Sequence, residues 1–110
     1  MAREVALGVE TDLKKIVVAL LRDLRWCVYI TSERRRGYSK MPRGLPDLFI
    51  RHTGKRISVW VELKRPGEDL LPEQEAFRLE ALAAGERHWT IRSIGQLEAE
   101  LAKVGFVAKF

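Results

Sequence analysis

Two short runs constrain most strongly what this chain can fold into. Residues 47–52 (D-L-F-I-R-H) and 56–64 (R-I-S-V-W-V-E-L-K) are rich in β-branched and aromatic residues, and only Thr53-Gly54-Lys55 separates them. A connection that short, with a glycine in it, suits an antiparallel hairpin. Turning at Gly54, the hairpin sets the start of the first strand beside the end of the second, so Asp47 and Glu62 come near each other. Along the second strand the two-residue period sends Ile57, Val59, Val61 and Leu63 to one face. Ser58, Trp60, Glu62 and Lys64 share the other, so ionisable groups gather at one end of the sheet's centre.

The rest of the chain supplies layers for that sheet. Over residues 9–25, Leu13, Ile16, Val17, Leu20, Leu21 and Leu24 recur at steps of three and four, the stripe of an amphipathic helix. Either Thr11 caps it or it begins a little earlier, since Gly8 breaks the pattern before it, and Glu10 falls at its start on the apolar side, directed toward the body of the protein. Residues 26–31 (W-C-V-Y-I-T) read as a strand, with Cys27 a small buried hydrophobe inside it. Residues 32–46 hold two Gly, two Pro and five bases, a loop long for a small domain. After Arg65-Pro66-Gly67, Pro72 opens a helix that runs to Gly85, which suits a left-handed C-terminal cap. Residues 88–92 predict a fourth strand, and residues 94–104, with Leu97 and Leu101, a last helix. The tail from Gly105 to Phe110 is apolar and either packs back on the core or meets another subunit. The order α-β-β-β-α-β-α predicts an α/β fold, a small mixed sheet of about four strands flanked by helices. Its 110 residues suit one domain spanning residues 1–110.

Charge points to a partner class. Hydrophobic residues at 46% and charged residues at 32% fit a folded globular chain and exclude disordered and collagen-like classes. The net charge is +5; residues 33–67, with ten basic residues against three acidic, sum to +7, and the rest of the chain to −2. A polyanionic partner follows as an expectation. The longest apolar stretch, Ile16 to Leu21, is six residues, against the roughly 20 needed to span a bilayer, so no membrane partner is expected. The start Met1-Ala2-Arg3-Glu4 lacks an export pattern and Cys27 is the only cysteine, so an intracellular, reducing compartment is expected.

The carboxylates carry the chemistry. Ionised side chains on a central strand are costly to desolvate, and they pair or bind a metal. A divalent cation relieves the repulsion between Asp47 and Glu62. Oxygen donors with no cysteine or histidine at ligand spacing favour Mg²⁺ or Mn²⁺ over Zn²⁺. The Leu63 backbone carbonyl is a further candidate ligand, and Glu10 another ligand or water contact. Lys64 would stand beside that metal to orient or help deprotonate water, or to stabilise charge on a phosphate. Such an assembly suits phosphodiester hydrolysis. Arg34, Arg35, Arg36, Lys40 and Arg43 of the loop, with Arg65, would hold a nucleic-acid backbone nearby. On the residues alone a second reading stays open, in which Glu62 and Lys64 are a surface ion pair at a strand end worth about 0–1 kcal/mol.

Three stretches taken together narrow this. Gly44-Leu45-Pro46-Asp47-Leu48, Val59-Trp60-Val61-Glu62-Leu63-Lys64-Arg65-Pro66-Gly67, and Leu71-Pro72-Glu73-Gln74 with Phe77, Leu82 and Gly85 make a chain that resembles the VRR-nuclease domain family of the PD-(D/E)xK nuclease superfamily. The resemblance runs from about residue 10 to about residue 97. It implies a restriction-endonuclease-like core and Mg²⁺- or Mn²⁺-dependent cleavage of DNA. It also implies that Asp47 and Glu62 are metal ligands, that Lys64 is the catalytic lysine, and that Glu10 is the acidic residue of the first helix. Gln74 would be the glutamine of the helix after the motif, lying against the active site; the residues alone favour a helix-start polar group reaching solvent. Stand-alone members of this size are similar in organisation to dimeric Holliday-junction resolvases, so the expected activity is a homodimeric endonuclease on branched DNA. The alternatives are a nuclease for linear, flap or single-stranded DNA, and a non-cleaving nucleic-acid-binding module of the same fold.

Other chemistry-bearing residues read as structural. His52 and His88 are expected at strand edges or in hydrogen bonds, and Trp26 and Trp89 in the core. Trp60 shares the face of Glu62 and Lys64 and could wall the site, whereas Tyr38 in the basic loop could stack on a base or cover the loop.

Overall fold

A computed structural model describes residues 10–31 and 43–106, with side chains from Asp12 onward. The elements are α1 (Glu10–Asp23), β1 (Cys27–Ile30), β2 (Leu48–His52), β3 (Ile57–Leu63), α2 (Pro72–Ala83), β4 (Arg87–Ile91) and α3 (Ile94–Lys103). Their order is the α-β-β-β-α-β-α expected from the sequence, and α1 already includes Glu10, so Thr11 lies within the helix and does not cap it. The strands form one sheet in the order β1-β2-β3-β4. The first three are antiparallel in succession, while β3 and β4 run parallel, with α2 as the crossover that parallel pairing requires.

Side-chain alternation divides the sheet into two unlike faces. Leu48 and Ile50 of β2, Val59, Val61 and Leu63 of β3, and Trp89 and Ile91 of β4 are buried on one face. The α1 stripe of Leu13, Val17, Val18 and Leu21 and the α3 pair Leu97 and Leu101 close over it in one cluster. Phe106 of the tail packs back, its ring 5.4 Å from that of Trp26 and 4.9 Å from that of His52. The remainder of the tail, residues 107–110, lies outside the described residues. None of the described helices is long and apolar enough to cross a membrane.

The opposite face is covered on one side only. Helix α2 lies over β3 and β4, with Phe77 edge-on to Trp60 at 5.1 Å. Pro72 occupies its first turn, and the N–H of Leu71 before it donates to Gln74 Oε1 at 2.8 Å. At the other end Gly85 takes φ 83°, its N–H bonding the Leu82 carbonyl while that of Glu86 bonds Ala81, so the glycine stops the helix as expected. Leu79 and Leu82 point outward and are exposed, because α2 turns Gln74, Phe77, Arg78 and Ala81 toward the sheet.

Two expectations need correction. The hairpin turns at a left-handed Arg56, φ 60°, whose N–H donates to the His52 carbonyl at 2.8 Å, and Gly54 does not take a positive φ. Cys27 is exposed rather than buried. It sits on the edge strand β1 and alternates onto the face that α2 leaves open, so none of the described residues packs over it.

Candidate active site

The start of β2, the end of β3 and the first turn of α2 converge at one end of the sheet. Each holds another by a specific contact. Thr31, just beyond β1, fixes the entry to β2: its N–H donates to the Asp47 carbonyl at 2.9 Å and its hydroxyl donates to the Pro46 carbonyl. Pro46 is fully buried, so the chain enters β2 along one path. Gly44 explains how the preceding loop reaches α2. It has φ 82°, and a Cβ there would overlap the Glu73 backbone carbonyl, so only glycine permits this approach.

Asp47 lies opposite Glu62, as the hairpin requires. The β2–β3 register pairs Leu48 with Val61, so the residues one step further on are Asp47 and Glu62. The Asp47 carboxylate reaches across and accepts the Leu63 N–H through Oδ2 at 2.9 Å. A carboxylate has about four lone-pair sites, so this bond leaves capacity for a cation. Glu62 is 2% exposed and Lys64 5%. The Lys64 N–H continues the parallel ladder by donating to the Ile91 carbonyl at 3.0 Å, so the two-residue period holds and Lys64 stays on the side of Glu62. Burial of both is inconsistent with a surface ion pair at a strand end.

Gln74 connects helix to site. Because its Oε1 is taken by the Leu71 N–H, its amide nitrogen faces the sheet and Nε2 donates to Glu62 Oε2 at 3.1 Å. The residue is half-buried and does not reach out to solvent. It therefore couples the start of α2 to the carboxylate orientation.

Three cations, Lys64, Arg65 and Arg92, act on Glu68 just beyond the end of β3. Glu68 is held below the usual carboxylate range first by the Arg65 N–H, which donates at 3.0 Å, and also by the charges of Lys64, Arg65 and Arg92. Arg92 in turn donates to the Glu68 carbonyl through Nε at 3.1 Å. The Arg92 contact was not visible in the sequence, since only the β3–β4 pairing brings Arg92 to this corner. Beside Glu62, its register partner Thr90 lines an open cleft of about 420 Å³ with Asp69, Glu75, Arg78 and Arg92.

Of the residues named for phosphate contact, Arg65 and Arg43 are exposed, the latter 3.7 Å from Glu73 with its side chain 88% accessible. Arg34, Arg35, Arg36 and Lys40, with Tyr38, lie outside the described residues. The backbone of Glu10 opens α1, whereas its side chain lies outside them as well. Among the described residues no group of three or more His, Cys, Asp or Glu gathers to hold a metal. The two carboxylates at this end and the Leu63 carbonyl are all hard oxygen donors, which fits Mg²⁺ or Mn²⁺.

His52 and His88 stay structural. The ring of His52 accepts the Lys55 N–H through Nδ1 at 3.0 Å. His88 is half-buried against Phe77, and burial first, with Arg78 nearby, pushes its pKa down. Trp60 stands one pleat from Glu62 on the same face and donates through Nε1 to Glu86 at 3.0 Å, just before the start of β4.

No protein-family model, curated protein or solved structure matches this chain.

Proposed function

We propose that this chain is a Mg²⁺- or Mn²⁺-dependent DNA endonuclease of the VRR-nuclease type, acting inside the cell on branched DNA as a homodimer. The observation that carries this reading is the buried pair Glu62 and Lys64 next to Asp47, with Gln74 donating to Glu62. Burying ionisable groups together on a small domain costs stability, and a catalytic end accounts for that cost.

Asp47, Glu62 and the Leu63 carbonyl would hold the cation, with Glu10 as a further ligand. When bound, the cation supplies Lewis-acid stabilisation of phosphoryl oxygens and makes a water in its shell more acidic. The Lys64 ammonium faces the charge that gathers on the phosphate as the water oxygen attacks phosphorus and the P–O bond opposite it breaks. Gln74 is a positioning residue, holding Glu62 in one orientation. Arg65, Arg43 and the basic stretch before them attract the backbone.

The test is purified full chain on a labelled four-way junction with Mg²⁺ or Mn²⁺. Cutting is expected, lost on chelation and reduced about 10²-fold or more in Glu62→Gln and in Lys64→Ala, each checked for its fold by circular dichroism. Junction binding with no cutting under any divalent cation would favour the non-cleaving module, and undiminished cutting in both variants would remove the site.

A further inference from the structure

The part of the sheet that α2 leaves open is not a bland surface. Tyr29, Phe49 and Trp60 are register partners across β1, β2 and β3, with ring centroids 6.3 Å and 4.6 Å apart. Phe77 of α2 covers Trp60, but Tyr29 at the edge is 47% exposed. Arg51, one pleat further from the site, bends back so that its guanidinium carbon lies 5.5 Å from the Tyr29 ring centre and 5.8 Å from that of Phe49. Its Nη1 reaches the Tyr29 hydroxyl at 3.4 Å. The result is a shelf of two ring faces with a cation above them.

Position gives the shelf its meaning. Asp47 precedes Phe49 by two residues and Glu62 follows Trp60 by two, so the aromatic row lies one strand repeat, roughly 6.6–6.8 Å, from the carboxylate row on the same face. Aromatic rings and arginine planes are what unstacked nucleobases bind, and the cation attracts the backbone phosphate between them. A second copy of this chain fits the shelf less well. A two-fold contact would set the patch against itself and bring Arg51 toward Arg51, a like-charge pair.

We infer that Tyr29, Phe49 and Arg51 form a stacking platform for an unpaired DNA base next to the phosphate being cut. Resting on the endonuclease reading, it names the substrate class as DNA with an unstacked nucleotide at the cut. Paired duplex keeps its bases stacked and leaves the shelf empty, so the platform discriminates by structure rather than by sequence.

The experiment reads binding separately from cutting. Fluorescence anisotropy of the full chain in a chelator compares a short labelled oligothymidylate with a blunt duplex of equal length. Tyr29→Ala, at an exposed position, is expected to weaken oligothymidylate binding by roughly 5- to 150-fold and to leave the duplex within about twofold. Tyr29→Trp restores it. Equal losses on both probes, no loss on either, or a wild-type chain that does not bind oligothymidylate would overturn the platform. So would conversion of a dimer to a monomer by Tyr29→Ala in light scattering, which makes the shelf a self-interface. Stacking in a chain that cuts nothing leaves the platform standing and removes the nuclease reading; cutting with no Tyr29 effect on binding does the reverse.

Discussion

Replacing Gln74 by glutamate puts the site's electrostatics to a test that needs no activity. In the native chain Nε2 donates to Glu62 Oε2 at 3.1 Å while Oε1 accepts the Leu71 N–H at 2.8 Å. A glutamate keeps the second bond and turns its other oxygen toward Glu62. Two unit charges about 4 Å apart repel by about 4 kcal/mol at an effective dielectric constant near 20. Solvent at the half-exposed residue 74 and an outward swing of the side chain reduce this, so a net loss of about 2 kcal/mol is expected. For a domain of this size that lowers the melting temperature by about 10 °C. Mutual repulsion raises the carboxylate pKa values in the folded state above those of the unfolded chain. The folded state then binds the extra proton, so the deficit against wild type shrinks as pH falls from about 8 to about 5. Mn²⁺ at pH near 7.5 should shrink it as well, because a third carboxylate strengthens the oxygen donor set. Gln74→Ala is the control, losing bond and cap with a deficit that neither acid nor Mn²⁺ repairs. A Gln74→Glu melting temperature within about 2 °C of wild type without metal, or a deficit independent of pH, would refute the placement of Gln74 against the Glu62 carboxyl group.

Gly44→Ala should destabilise by about 1–3 kcal/mol, seen as a lower urea midpoint, because the positive φ and the Glu73 carbonyl both oppose a Cβ; an unchanged midpoint would show that the loop does not pack there. For His88, burial depresses the folded pKa below the ordinary 6.5, so the unfolded chain takes up the proton first as pH falls. Its contribution is therefore present above about 6.5 and lost on acidification below it, and His88→Gln should flatten that part of a melting-temperature profile between pH 7 and 5.

Most of the architecture was legible because periodicity and turn residues agree. Leu13, Val17 and Leu21 marked the buried stripe of α1, and Val59, Val61 and Leu63 the buried face of β3. Pro72 and Gly85 marked the ends of α2 within two residues. The pairing of Asp47 with Glu62 followed from hairpin geometry alone. What failed did so for tertiary reasons. Cys27 looked buried because β-branched and aromatic neighbours signal a strand, but strand propensity does not say which face receives a helix. Gly54 looked like the turn pivot, yet Arg56 takes the left-handed position, since the loop extends over residues 53–56. Gln74 required knowing that α2 packs on the Trp60 face, and Arg92 at the corner required the parallel β3–β4 register.

The candidate active site is built from contacts that also fold the chain. The Asp47 carboxylate replaces a missing strand bond at Leu63, Gln74 completes the cap of α2, and Gly44 lets the entry loop rest on the same helix turn. Loss of activity on substituting any of them is ambiguous by itself, because a displaced β2 start moves a candidate ligand as surely as removing it. The two roles separate by what restores the variant. A purely structural defect scales with global stability and ignores divalent cations, whereas a defect in the oxygen cluster responds to metal and to protonation. Asp47→Asn divides the two directly: its amide oxygen still accepts the Leu63 N–H while the charge is gone. The strand junction is then kept, and the stabilisation by Mn²⁺ expected of the wild type is what should disappear.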